Sequence, residues 1–175
     1  MNYAEIKPVD IANGPGVRVS IFVSGCEHHC KGCFNSIAWD FDYGKPFTDE
    51  VMDYIIDLLK PDYIKGITFL GGEPMHPNNQ YDVAKLIYKI RKVYGDTKSI
   101  WLFTGYVLGG NIIDACKCKC CISFEFILNN IDVLVDGPFI EEKKNLSLRF
   151  RGSENQRIID MKKTLYYNKI CLWTD

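Results

Sequence analysis

Cys26-Glu27-His28-His29-Cys30-Lys31-Gly32-Cys33 sets three thiols within eight residues, spaced C-x3-C-x2-C, directly after the apolar run Val17 to Val23. A loop this short wraps one compact inorganic centre at little closure entropy. No fourth cysteine lies nearby in the sequence. Iron–sulfur cubanes normally take four thiolates. Three would leave one iron with an open position, the way a metal centre keeps room for a substrate. Spacing alone leaves a rival open, a structural zinc site with His28 or His29 as fourth ligand, because Cys3His is a common zinc set. A disulfide reading fails, since three cysteines cannot pair among themselves and nothing marks the chain as secreted. The two histidines otherwise read as solvated loop residues.

Working outward, Val17 to Val23 alternates and is β-branched enough to be the first strand, with residues 1–16 an irregular lead-in that ends in the turn Asn13-Gly14-Pro15-Gly16. Phe34 to Pro46 is aromatic and loop-like. Thr48 suits a helix N-cap, with Asp49 and Glu50 at the positive end of the dipole. Val51, Ile55, Leu58 and Leu59 then recur at helical spacing until Pro61. Gly66 to Leu70 reads as a second strand running into Gly71-Gly72-Glu73-Pro74. Val83, Leu86, Ile87 and Ile90 mark a second amphipathic helix from about Asn79 to Tyr94, which Gly95 closes. Ser99 to Phe103 ends on Thr104-Gly105, and Ile131 to Val135 runs into Asp136-Gly137-Pro138.

Strand and helix in alternation argue for a parallel sheet with helical crossovers. Each strand ends in Gly, Thr, Asp or Cys, and chemistry at the C-terminal ends of parallel strands is the rule for barrels and open α/β sheets. A full eight-unit barrel needs about 250 residues, so 175 residues build only part of one. The chain suits a single domain over residues 1–175, burying roughly 70% of its unfolded surface.

Composition narrows the function class. The formal charge of −1 argues against a nucleic-acid-binding role, which shows as a basic stripe. No apolar run is long enough for a membrane span, and Met1 to Glu5 lacks the basic and apolar regions of a signal peptide. Eight cysteines in such a chain fit a reducing cytoplasm, with metal or catalytic use.

C-x3-C-x2-C followed about 40 residues later by Gly71-Gly72-Glu73-Pro74, at a strand end, resembles the radical S-adenosylmethionine (SAM) enzymes. Arg151-Gly152-Ser153-Glu154-Asn155-Gln156-Arg157 carries the likeness further. It resembles the R-G-S-x-N-Q-R tract of the activating proteins of anaerobic ribonucleoside-triphosphate reductase. Asn13 to Gly16, Trp101 to Gly105 and Asp132 to Gly137 look like the same family, and the resemblance runs to about residue 160.

The resemblance implies a partial, open-sided (β/α) barrel of the radical SAM type. It implies one 4Fe-4S cluster on Cys26, Cys30 and Cys33, and SAM held at the open iron. Gly71 and Gly72 would line the methionyl amino group, since no Cβ blocks close approach, and Glu73 would orient that loop or touch the cofactor. Many members carry an aromatic residue before the third cysteine, near the adenine. This chain departs, with Gly32 there and Phe34 just after, so the adenine contact falls to the backbone of Gly32, Cys33 and Phe34. Thr104, Asp136, Gly137 and Pro138 would meet the ribose or carboxylate of SAM. The implied activity is reductive SAM cleavage, with the 5′-deoxyadenosyl radical generating a glycyl radical on the large anaerobic ribonucleotide reductase subunit. A one-electron donor such as a flavodoxin would serve the cluster. An activase of another glycyl-radical enzyme, such as formate lyase, and a zinc-binding adaptor without catalysis are the alternatives.

Two tracts stand apart. By chemistry alone, residues 151–157 form an exposed loop whose Arg151 and Arg157 offer donor forks to a partner's carboxylates. Cys116, Cys118, Cys120 and Cys121 put four thiols in six residues beside Lys117 and Lys119. Zinc sites usually space cysteines two to four residues apart in two pairs, so this tract reads as a variable insertion rather than a second metal site.

Overall fold

The computed structural model describes residues 1–112 and 122–174. Strand β1 (Asn2–Asp10) is the first departure from the sequence reading, because the lead-in is ordered as a strand antiparallel to β2 (Val17–Val23). Its register slips twice, between Tyr3 and Glu5 and between Lys7 and Asp10, so no clean alternation marks it in the sequence. β3 (Lys45–Pro46) pairs with the start of β1, inside the stretch expected to be loop. Helix α1 (Asp49–Leu58) follows, with Thr48 at the N-cap position but without a side-chain cap bond.

β4 (Ile64–Gly71), α2 (Pro77–Tyr94) and β5 (Ser99–Phe103) match their expected elements to within about two residues. α2 starts at Pro77, which needs no N–H partner at a helix's first position. His76 caps it, its Nδ1 accepting from the Asn78 N–H at 3.2 Å. α3 (Ile122–Asn130) then leads into β6 (Val133–Asp136). The four-cysteine tract 116–121 lies outside the described residues. β7 (Arg157–Asp160) and α4 (Met161–Tyr167) complete the chain order.

The sheet has seven strands in the order β3-β1-β2-β4-β5-β6-β7 and does not close. Its central strands β2, β4, β5 and β6 are parallel, as their helical crossovers require. The outer strands β1, β3 and β7 run antiparallel to their neighbours, which corrects the expectation of parallel strands throughout. On one face Val19, Ile21, Ile67, Phe69, Ile100, Leu102 and Leu134 meet the helices. Val83, Leu86, Ile87 and Ile90 of α2 are fully buried there, each worth about 1.5–3 kcal/mol against exposure.

The other face is partly polar. Arg18 is wholly buried on it, and its guanidinium donates to Thr68 Oγ1 at 2.8 Å, Ser99 Oγ at 2.8 Å and the Ile67 carbonyl at 2.7 Å. Burial pulls its pKa down to about 10 against the pull of Asp132 and Asp10. Farther along that face Trp101 packs edge-on against Trp173, ring centres 5.1 Å apart, and against Phe150. Residues 171–173 reach this position by pairing with β7: Asp160 N–H donates to Cys171 O at 2.9 Å and Trp173 N–H to Ile158 O at 2.8 Å. No helix among the described residues is long and apolar enough to cross a membrane.

Candidate functional site

The C-terminal ends of β2, β4, β5 and β6 open into one cleft of about 530 Å³. Cys26, Cys30 and Cys33 line it after β2; Gly71, Gly72 and Glu73 after β4; Thr104 and Gly105 after β5; Gly137 after β6. Parallel strands force this convergence, because their C-terminal ends share one edge of the sheet.

The cysteine loop is seated by backbone bonds. Gly25 N–H donates to Ala38 O at 2.8 Å, Cys26 N–H to Trp39 O at 3.0 Å and Cys33 N–H to Cys30 O at 3.1 Å. Cys26 is buried, and burial pushes its thiol up to about 11, opposed by the backbone N–H groups of His28 and His29. Burial also raises Cys30, opposed by the N–H of Phe139 across the cleft. A metal centre binding here must displace those protons. Its thiolates would then keep ready-made N–H donors.

The donor set fits a polynuclear cluster better than a lone ion. Among the described residues no three His, Cys, Asp or Glu side chains are grouped to hold a single metal ion. In a cubane each thiolate takes a different iron, so three separated soft donors around one cleft suit it. The zinc alternative would call on His28 or His29 as fourth ligand. His28 Nε2 bonds Glu73 Oε2 at 2.8 Å, and the His29 ring stacks on Trp39 with centres 4.6 Å apart. His28 is therefore a fixed, half-buried residue rather than a solvated one, whereas His29 is exposed as expected.

Glu73 is 1% exposed and its carboxylate is filled. Oε1 accepts from Met75 N–H and Thr104 Oγ1–H, both at 2.8 Å. Oε2 accepts from Gly105 N–H and His28, also at 2.8 Å. Of its two expected roles the geometry supplies loop orientation, and Thr104 spends its hydroxyl on the same carboxylate. Gly72 lies against the cysteine loop itself, its N–H donating to Val23 O at 2.7 Å, while Glu73 N–H donates to Gly25 O at 2.8 Å.

Gly32 and Phe34 line the cleft with Cys33, and the Phe34 side chain stands 84% exposed at its mouth. Asp136 does not face the cleft with them. It is 1% exposed and bonds Arg157, with Nε to Oδ1 at 2.9 Å and Nη2 to Oδ2, while Leu108 N–H donates to Oδ2 at 2.7 Å. Gly137 lines the cleft, and Pro138 offers its carbonyl to Asn155 at 2.8 Å.

The tract 151–157 is more tied down than the exposed loop that its polarity suggests. Arg157 is bound to Asp136, Arg151 Nη1 donates to Gln156 O at 2.6 Å, and Arg151, Gly152 and Gln156 line the cleft. The Gln156 side chain ties the tract to the end of β6 by donating to Gly137 O at 3.1 Å. The sequence reading also passed over the apolar wall of Phe103, Phe139, Leu148 and Phe150, whose signal appears only once the strand ends are side by side.

Comparison with known proteins agrees with this geometry. The family described as 4Fe-4S single cluster domain matches residues 12–159. The anaerobic ribonucleoside-triphosphate reductase-activating protein of Vibrio cholerae is 44% identical over 160 residues, covering 90% of this chain and 97% of its own. That of Escherichia coli K12 is 44% identical over 158 residues, covering 89% and 96%. That of enterobacteria phage T4 is 37% identical over 165 residues, covering 90% and 93%. The chain belongs to the 4Fe-4S single-cluster family of anaerobic ribonucleoside-triphosphate reductase-activating proteins.

Proposed function

We propose that this protein activates an anaerobic ribonucleoside-triphosphate reductase by reductive cleavage of SAM at a 4Fe-4S cluster, the 5′-deoxyadenosyl radical generating a glycyl radical on the reductase. The observation that carries the reading is one cleft in which three thiols and the Gly71-Gly72-Glu73 loop meet at the ends of parallel strands. The names of the relatives favour the reductase over formate lyase as partner. The open sheet is read as a partial barrel of the radical SAM type, residues 1–175 forming one domain. Its working place is the cytoplasm, without nucleic acid or membrane, and its electron source is a small donor such as a flavodoxin.

Cys26, Cys30 and Cys33 would hold the cluster, which when bound supplies one electron and a coordination position for SAM. The backbone of residues 32–34, of Gly71-Gly72 and of Gly137 forms the SAM-facing wall. Glu73 and Thr104, in the same lining, fix the loops through their mutual bond. Phe103, Phe139, Leu148 and Phe150 keep water from the reacting carbon, where a radical would otherwise be quenched. The unclosed sheet leaves the mouth free for a loop of the reductase, the only way a backbone hydrogen of another protein can come within reach.

The test is anaerobic reconstitution followed by three measurements: iron per chain, 5′-deoxyadenosine formed under a low-potential reductant, and the glycyl-radical resonance of added reductase. About four irons, SAM cleavage and a radical on the reductase are expected. Cleavage without any reductase radical would move the activity to another partner, and a colourless zinc protein would end the reading.

A further inference from the structure

Two carboxylate–imidazole pairs cross between the cysteine loop and the loop after β4. His28 of the first reaches Glu73 of the second at 2.8 Å, and Glu27 of the first reaches His76 of the second at 3.4 Å. Each loop thus contributes one acid and one imidazole. The two pairs differ in depth: Glu73 is 1% exposed, whereas Glu27 is 60% exposed on its side chain. The outer pair is therefore solvent-screened and weak, and the inner one adds a buried side-chain link to the backbone bond from Glu73 N–H to Gly25 O at 2.8 Å, which holds only the start of the cysteine loop.

The inner pair occupies a slot built for it. A Cβ on Gly105 would come within 2.5 Å of the His28 ring, so only glycine leaves the ring its place. Tyr106 closes the other side edge-on, ring centres 4.6 Å apart. An ionised Glu73 only accepts hydrogen bonds, so His28 donates from Nε2. The remaining donors to Glu73 are Met75 N–H, Gly105 N–H and the Thr104 hydroxyl, all outside the cysteine loop. His28 is the single side chain by which that loop holds the carboxylate.

We infer that His28 is a positioning residue that sets the register of the cysteine loop against the Gly71-Gly72-Glu73 loop, with Glu27–His76 as a weaker outer stitch. The inference rests on the proposed function, because register matters only if SAM bridges a cluster on one loop and the backbone of the other. His28 itself lines the cleft, but its ring nitrogen Nε2 is turned to Glu73. It acts through Glu73, and its loss leaves that carboxylate three donors, so the chain still folds.

The test uses the full-length reconstituted protein with His28→Ala and His28→Gln. A Gln amide at the right length replaces Nε2–H as donor. SAM binding is read from the change SAM produces in the resonance of the reduced cluster, and loop mobility from amide exchange of residues 26–33 in the cluster-free protein. Expected for His28→Ala is about four irons per chain, SAM binding weakened at least about tenfold, and faster exchange confined to 26–33. His28→Gln should restore affinity to within about threefold. SAM binding equal to the parent in His28→Ala overturns the inference, as does loss of the cluster in both variants, which would assign His28 to metal retention. A parent protein whose resonance ignores SAM would instead sink the proposed function, leaving no doubt which statement failed.

Discussion

A Cβ placed on Gly72 would stand 2.6 Å from the carbonyl oxygen of Gly25. The close approach that glycine permits at this position is thus between two loops of the protein, the second of which carries the thiols. Gly72→Val should therefore lower stability by about 1–3 kcal/mol, the usual range for overpacking, and lower iron content as well as SAM binding. Thermal unfolding and iron analysis on one preparation check this. A variant with full iron and weakened SAM binding would show that Gly72 faces only the cofactor.

Each cluster thiol should be indispensable. Cys26→Ala, Cys30→Ala and Cys33→Ala are each expected to abolish SAM cleavage, because each is one of the three thiols that line the cleft among the described residues. Product analysis for 5′-deoxyadenosine after anaerobic reconstitution decides it, and full cleavage by any of the three would contradict the assignment.

Arg157→Ala should cost stability rather than partner affinity. It strands Asp136, which is 1% exposed, with one remaining N–H from Leu108. Leaving a buried acceptor without its partner costs about 1–3 kcal/mol, and the part-exposed Arg157 keeps the loss within that range. Asp136→Asn in the same chain should recover part of that loss in a denaturant titration. A fully stable Arg157→Ala that fails only with the reductase would return this residue to the interface.

Acid should loosen the turn after β1 through Asp10, which bonds Ala12 and Asn13 of the cleft lining. Burial alone would raise its pKa, but bonds from Ser20, Ala12 N–H and Asn13, with help from Lys7, bring it below the ordinary 3.8. A carboxyl depressed in the folded state gives stability that is complete above its unfolded pKa and is lost as pH falls through the folded one. Asp10→Asn should lower stability at pH 7 and flatten its fall below about pH 4. Unfolding midpoints across pH 2.5 to 7 test this, and parallel curves for the two proteins would refute it.

The tract Cys116, Cys118, Cys120 and Cys121 should be dispensable. Changing all four to Ser is expected to leave about four irons per chain and near-normal SAM cleavage. Iron falling by half, or zinc vanishing with the thiols, would reveal a second metal site.

Elements with a strong period were legible: α2 through Val83, Leu86, Ile87 and Ile90, and β5 through its apolar run to Phe103. β1 was not, because Asn2–Asp10 is a half-exposed outer strand with two register shifts, and such a strand needs no alternation. β7 was hidden for a different reason. Its four residues continue a polar tract, and its partner β6 lies some twenty residues earlier. At the site, spacing was enough to single out the thiols. The duties of Glu73, Thr104 and Asp136 were not readable, since each depends on a donor from another strand end.

Residues 171–173 pair along the outer side of β7 and send Trp173 onto Trp101. A strand side with unpaired peptide groups is adhesive, inviting a strand from another molecule. The sheet meets that hazard with its own chain instead of with charge or a bulge. Cutting the chain after Asn168 would bare both the peptide groups of β7 and the indole face of Trp101, and the damage would show first as self-association at high concentration while the thiol cleft was still intact.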